Sequence, residues 1–256
     1  MLYDKLPIVF LSTMASEKKD ATNSQIASYI LDHLEDVSHM GIQEMADSCH
    51  VAISSISRFC KEIGLRDFAE LRELLSSTNM RFEEQSSSST PQERLHDYSE
   101  KVVESIQMVE NSVSMDRIDS LCNAIHQHEH VALYGLLKAS GVALNLQGDL
   151  LMLGKQSFTS ISYAHQIEEI LSAKEEDLII IFTYTGGYFD YQDLRALKRR
   201  KTIPAIWLIC SEGSSYPEFI HDVVTFHSLR DQNSHPYQLQ FIASLIAQEY
   251  ARKYRS

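Results

Sequence analysis

The chain has no hydrophobic run near the ~18–20 residues that a membrane-spanning helix needs. Its longest apolar runs, such as LIIIF at 178–182, have the length of a buried strand. Cysteine is sparse. Cys49, Cys60, Cys122 and Cys210 form neither a CxxC pair nor a zinc-like spacing, so they read as small buried hydrophobes. Basic charge is also short: 23 Lys and Arg face 35 Asp and Glu, a net charge of −12. A nucleic-acid footprint normally looks basic, so any such contact must come from cations gathered on one surface. The first fifteen residues hold one Lys, with an Asp at position 4, unlike a secretory leader. These absences imply a cytoplasmic protein with no membrane partner.

What remains is ordinary globular composition, and 256 residues suggest about two domains. The stretch EEQSSSSTPQE (83–93) is Ser-rich, contains Pro and lacks large apolar residues. It marks a flexible linker over 83–94, between an N-terminal domain at 1–82 and a C-terminal one at 95–256.

In the first domain, Leu2 to Met14 suits a helix, and Thr22-Asn-Ser-Gln25 has the form of a capping box opening a second. The segment GIQEMADSCHVAISSISRFCKEIG (41–64) reads as two short helices around a tight turn. In the second of these, Ile56, Phe59, Cys60 and Ile63 recur at the spacing of a buried helical stripe. Ser54, Arg58 and Lys61 fall within roughly 30° of the opposite direction. Hydroxyls and cations on the free face of a packed helix suit a DNA major groove. Ser54, Ser55, Ser57, Arg58 and Lys61 are the candidate DNA contacts, with Arg58 the guanine reader. The charge opposes this reading only in part. Residues 1–85 hold eight Lys/Arg against fourteen Asp/Glu, but 52–72 holds four (Arg58, Lys61, Arg66, Arg72) against three. Gly64 stands where a helix end wants a left-handed residue, and Phe68, Leu71 and Leu75 mark one more helix.

After the linker, 95–126 is largely helical. Short apolar runs then alternate with helix-length segments: VALYG (131–135), SFTSI (157–161), LIIIFT (178–183), AIWLIC (205–210) and VVTF (223–226), with helices at 139–153, 163–172, 189–200 and 235–254. Near-continuous hydrophobic strands separated by helices predict a five-stranded parallel sheet covered on both faces. Ligands of such sheets bind beyond the C-terminal strand ends. There the loop TYTGG offers Thr183, Thr185, Gly186 and Gly187 as a phosphate cradle before a helix.

Taken together, the chain resembles the RpiR/MurR type of bacterial transcriptional regulator, an N-terminal helix-turn-helix followed by a sugar isomerase (SIS) domain. The resemblance covers nearly the full length; SQIASYIL (24–31), Arg58-Phe59 and Gly64-Leu-Arg-Asp-Phe68 carry most of it. It implies a homodimer or homotetramer that binds operator DNA, responds to a phosphorylated sugar and has no catalytic activity. Departures are visible. Ala52 stands where the recognition helix usually has a Ser or Thr cap. The first SIS loop, usually Gly-x-Gly-x-Ser, is Gly135-Leu-Leu-Lys-Ala139-Ser140, which makes Lys138 and Ser140 the secondary phosphate candidates. In the second loop, usually Ser-x-Ser-Gly-x-Thr, Tyr188 replaces the last Thr.

Other groupings carry less. His126, His128 and His130 span a helix-to-strand change without an acidic or Cys partner, so no metal or other cofactor is expected. His165 and Glu169 could serve an isomerase as acid and base, or form an i, i+4 surface pair. The alternatives to a ligand-responsive regulator are therefore a SIS-type phosphosugar isomerase and a regulator whose SIS domain only oligomerises.

Overall fold

The computed structural model describes residues 5–78, 87–190, 197, 200–231 and 234–255. The N-terminal part is six helices: α1 Lys5–Ser16, α2 Thr22–Asp32, α3 Leu34–His39, α4 Ile42–Ser48, α5 Ile53–Glu62 and α6 Phe68–Ser76. Their apolar stripes converge on one core in which Ile26, Ile30, Met45, Ile56, Phe59 and Leu71 are fully buried. Phe10 of α1 stacks on Phe59 of α5 at 6.0 Å between ring centroids, which fixes the inner face of α5. The helix ends where Gly64 takes φ 93°. There the Gly64 and Leu65 amides donate back to Lys61 O and Cys60 O, satisfying carbonyls of the last turn.

One local reading needs correction. The Thr22 capping box does not form: Ala21 is the cap residue, without a side-chain bond, and Thr22 is already helical. The Gln25 amide is instead satisfied by Ala21 O, and Asn23 donates to Glu17 and Glu62. The second helix ends at Asp32, where His33 leaves helical geometry, and α3 begins after it.

Residues 83–86 of the stretch assigned to the linker lie outside the described residues. Its end is helical: Thr90 and Glu93 form a reciprocal capping box that starts α7, Pro91–Glu110. The Thr hydroxyl and the Glu carboxylate each satisfy an amide of the first turn. A break at Asn111–Ser114 precedes α8, Met115–Gln127.

The remaining elements are β1 Val131–Gly135, α9 Lys138–Met152, β2 Phe158–Thr159, α10 Tyr163–Ser172, β3 Leu178–Phe182, a 3-10 turn at Gly187–Phe189, β4 Ala205–Ser211, β5 Asp222–Phe226 and α11 Tyr237–Tyr254. The helix expected over 189–200 falls mostly outside the described residues. The five strands form one sheet in the order β2-β1-β3-β4-β5, every pair parallel. Period-2 alternation sends Leu133, Ile180, Phe182, Trp207 and Ile209 to one face, under α8, α9 and α11. It sends Tyr134, Ile179, Ile181, Ile206 and Leu208 to the other, under α10. Side chains buried on both faces are what a doubly covered parallel sheet requires. β2 is shorter than SFTSI suggested. The Ser160 and Ser162 hydroxyls already serve the turn into α10, each accepting a backbone amide.

Among the described residues, no helix is long and apolar enough to cross a membrane. All four cysteines are buried and unpaired. Burial pushes the Cys49 thiol up to about 11 and Cys60 and Cys122 up to about 12.

Candidate functional site

Two surfaces concentrate the sequence candidates. On α5, Ser54, Arg58 and Lys61 are exposed on the side away from the core, while Ser55 and Ser57 are half-buried along its edges. The helix is aimed by a tight turn in which His50 takes φ 54°, a backbone state costly for most side chains and less so for His. Ala52 has the extended backbone of a cap residue, φ −72° and ψ 149°, but no side-chain acceptor for the first amides. Neither Ser54 nor Ser55 makes a side-chain cap in its place. Of the four cations in 52–72, two are used inside the domain. Arg66 pairs with Glu70 at 3.2 Å, and Arg72 donates to Met40 O at 2.9 Å. Arg58 lies 3.5 Å from Glu62, one turn on, in an exposed pair. Such pairs are weak, so a phosphate or a base edge competes readily for the guanidinium.

The second surface follows from the strand order. In a 2-1-3-4-5 sheet the chain reverses direction between β1 and β3, and their connecting loops part to leave a crevice beyond the strand ends. The loops are Gly135–Lys138 and Thr183–Gly187. In the first, a Cβ on Gly135 would lie 2.7 Å from the Ala139 backbone, so α9 starts pressed against the strand. Leu137 has φ 47° where the family pattern has its second glycine. Lys138 is exposed and donates to His235 O at 3.1 Å. Ser140 turns back to Leu137 O at 2.6 Å.

In the second loop Thr183 is buried and its amide donates to Ile209 O, while Thr185 is exposed. Gly186 has φ 79°, and a Cβ there would come within 2.7 Å of Ser215 O. Gly187 opens the 3-10 turn beside the Asp190 carboxylate. The sheet thus brings the Thr183–Gly187 loop and Lys138 to the same strand ends, whereas Ser140 is committed to its own helix.

Three residues outside the sequence candidates complete this region. Tyr188 is 2% exposed; its hydroxyl donates to Gln166 Oε1 at 2.5 Å. Burial raises its hydroxyl well above the usual tyrosine range. Arg230, also at positive φ, donates to Ser211 Oγ at 3.0 Å just behind the second loop. His235 is 9% exposed, its ring lies 4.8 Å from Tyr184, and its Nδ1 is buried without a partner. Desolvation, with Lys138 adding to it, pushes the imidazole down to about 3. Only the Tyr188 substitution left a signal in the sequence; the other two reach the site through β5 and the start of α11.

The remaining candidates sit elsewhere. His165 and Glu169 form an exposed pair on α10 at 3.2 Å, each nearly half accessible. His126 stacks on Tyr254, and His128 Nδ1 lies 2.8 Å from Ala124 O at the end of α8. A cavity of about 500 Å³ opens at the opposite, N-terminal end of the strands, around Glu129, His130 and Asp177, and takes no part in the crevice.

The described residues thus set a helix-turn-helix unit ahead of a doubly covered five-stranded parallel sheet. Residues 10–79 match the family model described as "Helix-turn-helix domain, rpiR family". The N-terminal part of the chain thus carries a helix-turn-helix domain of the rpiR type. Among its relatives, an uncharacterized HTH-type transcriptional regulator in the aarA 3' region of Providencia stuartii is 21% identical over 195 residues, 73% of this chain and 68% of the relative. The uncharacterized HTH-type transcriptional regulator YbbH of Bacillus subtilis (strain 168) is 22% identical over 201 residues, 75% and 69% of the two chains. The solved structure of the Vibrio vulnificus NanR protein complexed with ManNAc-6P shares the fold. It superposes with a TM-score of 0.56 at 15% identity, over 97% of this chain and 92% of that one.

Proposed function

We propose that this regulator binds operator DNA through α5 and is controlled by a phosphorylated sugar held in the β1/β3 crevice, as a homo-oligomer and without catalysing a reaction. The observation that carries the DNA half is the outer face of α5. Ser54, Arg58 and Lys61 stand exposed there, on a helix whose inner face is locked by Ile56, Phe59 and Cys60. Arg58 reads guanine, and the serines and Lys61 hold phosphates. Residues 1–82 form the reading domain, 83–94 the connection and 95–256 the effector and oligomerisation domain.

The effector half is supported by the Thr183–Gly187 loop at the switch point and by the NanR relative, whose structure holds ManNAc-6P. Thr185, the Gly186 and Gly187 amides and Lys138 supply the phosphate donors. The absence of catalysis is supported by the relatives' names as regulators and by the outward position of His165 and Glu169. A second reading, a SIS domain that only oligomerises, is favoured by Tyr188, which fills the place of the last loop Thr with a fully buried ring.

Selection of bound DNA from a random pool supplies the operator. At fixed salt, Arg58→Ala then weakens binding about fivefold or more, the lower end for one bidentate base contact. Unchanged affinity removes Arg58 from the reading surface. A sugar phosphate at a hundred times its dissociation constant stabilises the fold by about 2.7 kcal/mol. No thermal shift with a broad panel selects the oligomerisation reading, and turnover of a hexose phosphate overturns the non-catalytic one.

A further inference from the structure

The two halves of the chain meet at one buried hydroxyl. Ser12, on α1 of the reading domain, is 3% exposed. Its Oγ donates to Ile161 O at 2.6 Å and accepts from the Tyr163 amide at 3.1 Å. The two partners flank Ser162, whose hydroxyl caps the first turn of α10.

That same turn is tied to both crevice loops. The Tyr163 hydroxyl donates to Tyr188 O at 2.8 Å, and the two rings meet edge to face at 5.5 Å. Tyr188 returns its own hydroxyl to Gln166, which donates to Gly135 O at 2.9 Å and to Ser160 O at 2.5 Å. Gly135 opens the first loop, and Tyr188 follows directly on Gly187 in the second. Tyr163, Gln166 and Tyr188 are all buried.

We propose that Ser12 is the coupling residue between the effector crevice and the DNA-reading domain, sensing the first turn of α10 as Tyr163, Gln166 and Tyr188 move with the loops. This rests on the crevice and α5 having the roles proposed above. The physical reason is saturation: the side chains of Ser12, Tyr163, Gln166 and Tyr188 are buried and bonded, so one of them cannot shift without leaving a polar partner unsatisfied. A ligand that pulls Gly186 and Gly187 toward a phosphate displaces Tyr188, and the network then has two discrete states rather than a continuum. Ser12 bonds Ile161 and Tyr163 together in only one of them. α1 reaches the DNA-reading helix through the Phe10–Phe59 stack.

The test is a double-mutant cycle on the full chain with Tyr188→Phe and Ser12→Ala, read by hydrogen exchange of the amides in residues 9–16. Tyr188→Phe keeps the ring and removes only its hydroxyl. It is expected to speed exchange in α1 about fivefold, the effect of one net hydrogen bond. The acceleration is expected to vanish in the Ser12→Ala background and to return with Ser12→Thr, which keeps a hydroxyl. Unchanged exchange in Tyr188→Phe, or equal acceleration in both backgrounds, overturns the coupling. The same cycle on operator affinity should show a Tyr188→Phe effect that also requires Ser12. A wild-type chain that binds no DNA overturns the proposed function instead, and the exchange data still decide the coupling.

Discussion

The neutral, buried imidazole of His235 makes the stability of this protein depend on pH in a way that can be worked through. The residue is 9% exposed, its ring lies tilted against Tyr184, and its Nδ1 is orphaned. Burial, reinforced by the neighbouring Lys138 charge, brings the group from 6.5 in the unfolded chain down to about 3. The sign follows from proton counting. Between those values the unfolded chain binds a proton that the folded one refuses, so stability falls as the pH falls. Nothing is lost above pH 6.5. The loss grows by about 1.4 kcal/mol per pH unit below it and is complete near 3. From pH 7 to pH 5 this one group removes about 2 kcal/mol, a large share of the 5–15 kcal/mol typical of a folded protein. His235→Phe keeps an aromatic ring against Tyr184 and cannot titrate. Urea unfolding of both proteins at pH 7, 6 and 5 isolates the contribution, because every other titrating group cancels in the difference. The wild-type chain should lose about 2 kcal/mol relative to the variant over that range. Parallel curves, differing by less than about 0.5 kcal/mol across the range, refute a buried neutral His235.

Two further substitutions probe the two surfaces. Ala52→Ser supplies the missing cap of α5 on a backbone already extended for it, so it should stabilise the reading domain by about 1 kcal/mol; a thermal midpoint that does not rise refutes the geometry. Gly186→Ala places a methyl at φ 79° against Ser214 and Ser215. It should cost at least about 1–2 kcal/mol from the backbone alone and weaken any phosphate response; a neutral result in urea unfolding shows that the loop does not need its glycine.

Much of this protein can be read from residue spacing. The stripe Ile56, Phe59, Cys60, Ile63 and the apolar run of β3 state their periods directly, because burial on one face or on two leaves a mark every few residues. Gly64 announced a position where a left-handed backbone ends the helix, as its φ of 93° bears out. Helix ends were less legible. Thr22 has the right chemistry for a cap, yet Ala21 took that place because Asn23 was drawn to Glu17 and Glu62, the latter 39 residues away. Spacing set Arg58 and Lys61 on the free face, and only packing showed that Arg66 and Arg72 serve the domain itself.

By itself the sequence determined a helical N-terminal unit and a five-stranded parallel sheet, since each is a local pattern repeated at a fixed interval. Tertiary structure alone decided which distant residues join them. The strand order 2-1-3-4-5 sets Gly135 beside Phe182 and brings His235 and Arg230 behind the loops. It also places Tyr188 where Gln166 can hold it, and α10 where Ser12 can reach it from the other end of the chain. No spacing rule encodes those meetings, because they depend on how folded elements stack rather than on the interval between residues.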